Sequence, residues 1–375
     1  MKRAWVLALI GPLLLSGCRS TALPYGREIE HMALMRTIGV DRVEEGVRVT
    51  VSSGVQQGGD QSAQGPVVLS QTSGSISGAL LSMQANGASY IFYGHVGQLL
   101  LGEELAGEDI YPALDYVLRD IEMRLDTSLY LVQGSAEQAV SMPAEQSEEG
   151  SGPATSAAER LEAMEADAQL RSYATPRTVG EVLSELEEQG ASYAPALSLS
   201  EQTEGVLTAA GYGILKEGAL VAWTTDSQAH GINLLEGQVN ADMIELTLPD
   251  GSSAALRVVG AKTKLQPVWE ENTLTGLTIR CTVDANLAEA PSDLDLSQGD
   301  MLSWLEKSLA EVEEARIREA LDSAQRLEAD YLGLAARAGM AAPWHWSDIQ
   351  REWNLSSLAL SVDVEAGIQR GYDVD

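Results

Sequence analysis

VNADMIELTLPDGSSAALRVVGAKTKL, residues 239–265, sets a strand, a Pro249-Asp250-Gly251 turn and a second strand in direct succession, and its reading decides the fold class. Residues 239–248 and 254–265 are rich in Val, Leu, Ile and Thr, and the Pro-Asp-Gly between them supplies turn chemistry. The same punctuation extends outward. Upstream, residues 209–215 and 219–224 flank Lys216-Glu217-Gly218; downstream, residues 274–287 supply another strand. Consecutive strands joined only by turns read as an antiparallel meander, because parallel neighbours need a crossover of a dozen or more residues. Ser297 can then cap a long helix running to about residue 337. Leu302, Leu305, Leu309, Val312, Leu321, Ala324, Leu327, Tyr331 and Leu334 fall near one stripe of it, a face made for packing. A short helix over 346–353 and an alternating strand over 358–368 complete the half.

The first half reads differently. Residues 33–42 and 47–55 alternate around Glu44-Glu45-Gly46 and predict a hairpin, followed by a polar loop over 58–65. Ile76, Leu80 and Met83 recur at helical spacing, residues 96–101 form a buried strand, and Ile110, Leu114, Val117 and Leu118 mark a second helix before a strand at 128–132. The order ββαβαβ implies a mixed sheet. Residues 143–172 are mostly Ala, Glu and Ser with almost no large apolar side chain, so they read as a linker in which 157–170 forms an exposed helix. The expected class is α+β: a mixed-sheet N-terminal domain over 28–142 and a C-terminal antiparallel sheet covered by a long helix over 205–375. A linker (143–175) and a connecting helical segment (176–204) lie between them.

Ahead of both stands a targeting segment. Lys2 and Arg3, a 12-residue apolar stretch over 4–15, and Leu15-Ser16-Gly17-Cys18 make residues 1–17 a lipoprotein signal peptide, cleaved between Gly17 and Cys18. The apolar stretch, broken at Gly11-Pro12, falls short of the roughly 20 residues a spanning helix needs. Cys18 is the expected lipid acceptor, and two acyl chains on it would hold the protein stably to the extracytoplasmic face of a membrane. Residues 18–27 are its tether. Cleavage removes Lys2 and Arg3, so the mature 358 residues carry 22 basic against 55 acidic groups, a net charge of −33. Such a surface repels nucleic acid and anionic lipid headgroups, which leaves membrane attachment to the lipid. Cys281 then has no intramolecular partner for a disulfide. It shares an alternating face with Leu277, Ile279 and Val283 and reads as a small buried hydrophobe.

No catalytic constellation stands out. Gly74-Ser75-Ile76-Ser77-Gly78 puts isoleucine where a nucleophile elbow needs serine. His31, His95, His230 and His345 are scattered without zinc spacing. Asp293-Leu294-Asp295 begins like a calcium loop but has glycine at the seventh position and Trp304 at the twelfth. The expectation is a protein without enzyme activity, cofactor or metal. Four residues are candidates for partner contact or for structure: His95, which reads as a satisfied polar residue at a strand start, and Arg119, Asp120 and Arg124, which read as an ion-pair cluster. Trp344, Trp346 and Trp353 read as the filling of a core edge.

These residues resemble one family, the Ger(x)C lipoproteins, the C subunits of bacterial spore nutrient-germinant receptors. In the first half the likeness lies in Arg27-Glu28-Ile29-Glu30, Ile38-Gly39-Val40-Asp41, Tyr93-Gly94-His95-Val96, Leu101-Gly102-Glu103-Glu104-Leu105-Ala106, Leu118-Arg119-Asp120 and Arg124-Leu125. In the second half it lies in residues 213–216 with Leu220-Val221, in Asp330 and Gly333, and in Pro343, Trp346, Trp353, Ile368 and Gly371. The chain departs from the family in having Arg19 after Cys18, eight residues before Arg27, and in the Ala/Glu/Ser segment. The resemblance implies a lipid-anchored receptor subunit in the spore inner membrane, acting with integral-membrane A and B subunits. A solute-binding lipoprotein of an ABC-type transporter is the alternative. That class is built from mostly parallel βαβ lobes, which the strand succession over 209–287 disfavours.

Overall fold

A computed structural model describes residues 32–54, 56–57, 63–64, 66–86, 89–141, 156–171, 174–199, 207–239, 241–271, 273–291 and 299–369. The predicted hairpin is present as β1 (Met32–Val43) and β2 (Gly46–Ser53), antiparallel, with Gly46 in the left-handed region at φ 130° where a side chain would be strained. Two-residue strands β3 (Gln56–Gln57) and β4 (Ala63–Gln64) pair with each other, β3 just ahead of the segment read as a loop at 58–65 and β4 inside it, and β5 (Val68–Ser73) returns along β2. Next come α1 (Ile76–Asn86), β6 (Tyr90–Phe92), β7 (Gln98–Gly102), α2 (Glu103–Glu108), α3 (Tyr111–Arg119), β8 (Ser128–Val132) and α4 (Ala136–Ser141).

The main sheet runs β11-β10-β9-β8-β7-β1-β2-β5, with β6 pairing β1 to one side. β1, β7, β8 and β9 (Ala191–Leu199) are parallel; β10 (Leu207–Lys216) and β11 (Ala219–Trp223) extend the sheet antiparallel. The strands expected at 209–215 and 219–224 therefore belong to this sheet and not to the C-terminal one. Pairing explains it: β10 lies along β9 from Leu207↔Leu199 to Lys216↔Ala191, with an irregularity between Ala209 and Tyr212.

The linker also needs correction. Residues 157–171 form α5 (Ala157–Arg171), and it is not an exposed helix. Ala157, Ala158 and Leu161 are buried, and Leu161 joins Leu100, Tyr130, Val140, Leu197 and Leu207 in a core cluster on one face of the sheet. Residues 142–155 lie outside the described residues. The opposite face is covered by α1, α2, α3 and α6 (Val179–Gln189). α6 starts with a reciprocal cap: Glu181 N donates to Thr178 Oγ1 at 3.2 Å and Thr178 N donates to Glu181 Oε2 at 2.8 Å. Thr178→Ala should lower stability by about 1 kcal/mol, read as a reduced urea midpoint at unchanged slope.

The second half opens with a helix that the periodicity missed, α7 (Asp226–Glu236), capped by Thr225 and Gln228. The second sheet follows: β12 (Asp242–Thr247), β13 (Ser253–Glu270) and β14 (Thr273–Glu289), antiparallel, with the final strand β15 (Ala359–Gln369) parallel to β14. α8 (Gly299–Leu327) packs Leu305, Leu309, Ile317, Leu321 and Ala324 into the same core as Leu277, Ile279, Cys281 and Val283 of β14. Cys281 is buried as expected. The long helix stops ten residues before the expected end. Glu328 takes a positive φ of 49°, and Gly333, at φ 62°, caps a separate α9 (Leu334–Ala341) whose first amides are held by Asp330. α10 (Trp346–Glu352) leads to β15. Trp353 packs on the core, but Trp344 is 80% exposed and Trp346 38%, so the tryptophan cluster is not wholly a core edge.

Candidate functional site

The residues singled out in the sequence gather at two opposite edges of the main sheet. At the edge where β1 and β7 end, Asp41 grips the N-terminus of α4. Its Oδ1 accepts from Ala136 N at 2.7 Å, and its Oδ2 accepts from Glu137 N at 2.7 Å and Ser135 Oγ at 3.2 Å. Burial pushes the Asp41 carboxyl up, with the two backbone amides opposing that shift. A Cβ on Gly102 would collide with Asp41 Oδ1, and one on Gly39 would press on Val140 and the Ala136 carbonyl. Glu103 ties the same edge further: its Oε2 accepts from Gly134 N at 3.0 Å and its Oε1 from Trp223 Nε1 at 3.2 Å. Ile38-Gly39-Val40-Asp41 and Leu101-Gly102-Glu103-Glu104 thus meet to clamp a helix onto the sheet.

At the edge where β1, β7 and β8 begin, His95 sits exposed in the turn before β7, its ring edge-on to Phe92 at 5.8 Å between centroids. Arg119 Nε donates to Asp115 at 2.7 Å, and Arg124 Nε donates to Asp126 Oδ1 at 2.8 Å. Asp120 Oδ1 accepts from Glu122 N at 2.9 Å. Among the described residues no ion pair joins Arg119, Asp120 and Arg124 to one another, so the expected cluster resolves into separate local pairs. Gly17 and Cys18 lie outside the described residues.

A buried charged group in the second half had one readable sign in the sequence. Glu313, four residues from both Leu309 and Ile317, occupies the apolar stripe of α8 and is 0% exposed. Arg316 Nη1 bridges Glu313 Oε2 at 3.2 Å and Asp242 Oδ2 at 2.5 Å, and His230 Nδ1 lies 3.4 Å from the same Asp242 oxygen. Burial raises the Glu313 carboxyl to about 7, against the pull of Arg316; burial also lowers the imidazole of His230, with Asp242 opposing. α7, β12 and α8 supply these four groups. Where the two halves meet, Tyr193, Tyr212 and Tyr331 stack edge to face, with Arg177 4.2 Å above the Tyr193 ring.

Two concavities accompany these features. One, of about 380 Å³, lies between α5 and β8–β10, lined by Tyr130, Arg160, Glu165, Leu197 and Leu207. A wider groove of about 890 Å³ runs from the end of α6 to α10, lined by Glu188, Asp330, Trp346 and Trp353. Among the described residues there is no group of three or more His, Cys, Asp or Glu arranged to hold a metal, and no helix long and apolar enough to cross a membrane.

Residues 26–199 match the family described as "Spore germination protein N-terminal domain", and residues 210–371 match "Spore germination B3/ GerAC like, C-terminal". The chain is 22% identical to spore germination protein KC of Bacillus subtilis (strain 168), over 97% of this chain and 94% of that protein. Its fold is similar to the crystal structure of the GerBC protein, with a TM-score of 0.57 at 16% identity, over 88% of this chain and 96% of the other. With both family domains matched in order across almost the whole length, this chain belongs to the GerAC-like spore germination proteins.

Proposed function

We propose that this chain is the non-catalytic, lipid-anchored C subunit of a spore nutrient-germinant receptor, working with integral-membrane A and B subunits to trigger germination. The observation that carries the reading is the ordered match of both family domains over 26–199 and 210–371. The motif residues agree with it: Asp41, Gly102, Glu103 and Asp330 are spent on helix capping and clamping, which is work for a scaffold. Anchoring is assigned to Cys18 because the mature charge of −33 gives the chain no electrostatic hold on anionic lipid.

Pull-down of the tagged protein from spore inner membranes should recover two multi-span partners. Deleting its gene should slow germination on one class of nutrient and leave receptor-independent germination intact. Recovery of an ABC permease with normal nutrient germination would instead support a transporter-linked role. Cys18→Ala should move the protein out of the membrane fraction or leave it unprocessed; a variant cleaved after Gly17 that pellets as the parent does would remove the lipid anchor from this reading.

A further inference from the structure

The segment of residues 118–127, the end of α3 and the loop that joins it to β8, lies at the sheet edge where the parallel strands begin, since Thr37, Gln98 and Ser128 are register neighbours there. Its inner side is tied down. Glu122 Oε1 accepts from Tyr90 OH and its Oε2 from Tyr93 N, both at 3.0 Å, while Thr127 Oγ1 donates to the Val96 carbonyl at 3.3 Å. Tyr90 is the register partner of Met32, the first described residue. The loop therefore stands beside the point at which the chain arrives from Cys18.

Its outer side is apolar. Ile121 is 80% exposed, Leu118 52% and Leu125 44%, whereas Met123 turns inward at 9%. The neighbouring cations are matched locally, Arg119 by Asp115 and Arg124 by Asp126, while Glu122 is turned to Tyr90 and Tyr93 and Asp120 to the Glu122 amide, so three large aliphatic side chains stand out from this side. Contacts that fix the loop from within pre-set those side chains in position, which lowers the ordering cost of inserting them elsewhere.

We propose that this loop is a membrane-contacting wedge, with Leu118, Ile121 and Leu125 entering the interfacial layer of the bilayer. The proposal rests on the lipid-anchor reading, and two observations select lipid as the occupant. The chain that leads from Cys18 enters the described structure at this edge, at Met32. Residues 18–31 span at most about 50 Å when fully extended, at about 3.5 Å per residue, so the anchor keeps the loop in reach of the bilayer. Three side chains give little affinity alone, but anchoring makes their insertion an intramolecular step at high effective concentration.

The test uses residues 19–375 with an N-terminal hexahistidine, bound to phosphatidylcholine vesicles containing a small fraction of nickel-chelating lipid. With Cys18 absent and Cys281 buried, Ile121→Cys takes a polarity-sensitive fluorophore selectively. A label at Glu104→Cys, exposed at the opposite sheet edge, is the control. Expected are a blue shift and at least threefold stronger quenching by brominated acyl chains at position 121 than at position 104, both weakened by adding Leu118→Ser and Leu125→Ser. Equal quenching at the two sites overturns the proposal. A label silent on these vesicles that shifts only on spore inner-membrane vesicles also overturns it, and assigns the face to a protein partner. The engineered tether makes this readout independent of acylation at Cys18, so failure of the anchor reading shows separately, in the fractionation of Cys18→Ala.

Discussion

Arg316→Ala is expected to cost about 3–5 kcal/mol, because it strips the shared cation from two carboxylates that the fold has taken out of water. Glu313 is 0% exposed and its Oε1 has no hydrogen-bond partner among the described residues, so without the guanidinium it must be neutral or the helix must shift. Chemical denaturation should show a lower midpoint with a preserved slope. The same group carries a pH signature. The folded Glu313 value of about 7 lies above the ordinary carboxylate range, so between about 4.5 and 7 the folded chain holds a proton that the unfolded chain has released. That contribution is complete below about 4.5 and is lost as pH rises through 7. Asp330, raised by burial to about 6, acts in the same direction and remains in both proteins compared. Glu313→Gln should therefore gain stability relative to the parent as pH climbs from 5 to 8, measured as the difference between their urea midpoints. Parallel curves would show that Glu313 does not titrate in this window.

Asp41→Ala should cost about 2–3 kcal/mol, since two α4 amides and the Ser135 hydroxyl lose their acceptor together at a partly buried site. Asp41→Asn, which keeps one acceptor oxygen, should retain roughly half of that. Gly102→Ala tests the same contact from the other side: its methyl would displace the carboxylate, so combining it with Asp41→Ala should cost clearly less than the sum of the two. Full additivity in thermal or urea unfolding would show that the two residues do not share the clamp.

What could be read in advance was whatever one face dictated. The hairpin β1–β2, the strands β7 and β8, the meander β12–β14 and the stripe of α8 each alternate or repeat against a single core, and each was legible. β5, written Val68-Leu69-Ser70-Gln71-Thr72-Ser73, is too polar to declare itself; it exists because β2 offers it a partner. β9 contains Pro195, which argues against a strand until the ladder is seen to shift between Ala209 and Tyr212. α7 was announced only by its Thr225-x-x-Gln228 capping box, and its face is buried almost all round, which erases the helical period. α5 looked solvated because its buried contribution rests on alanines and Leu161. The charged group of His230, Asp242, Glu313 and Arg316 joins residues up to 86 positions apart, and only the carboxylate inside an apolar stripe hinted at it. The candidate residues at the edge where the parallel strands begin were found through resemblance; their exposure and pairing became visible only in three dimensions.

The match to the N-terminal family domain ends at residue 199, yet the sheet it helps build runs on through β10 and β11, which belong to the next domain's match. A fragment stopped at 199 would leave β9 as a bare edge, with its ladder groups unpaired and Tyr193 stripped of Tyr212. Such an edge invites pairing with a second chain. During synthesis the first half consequently cannot close its own sheet until residue 223 has emerged, so the two family domains are separable in sequence but not as folding units. Anyone dissecting the protein should cut after β11, and should expect the shorter fragment to be recovered as aggregate.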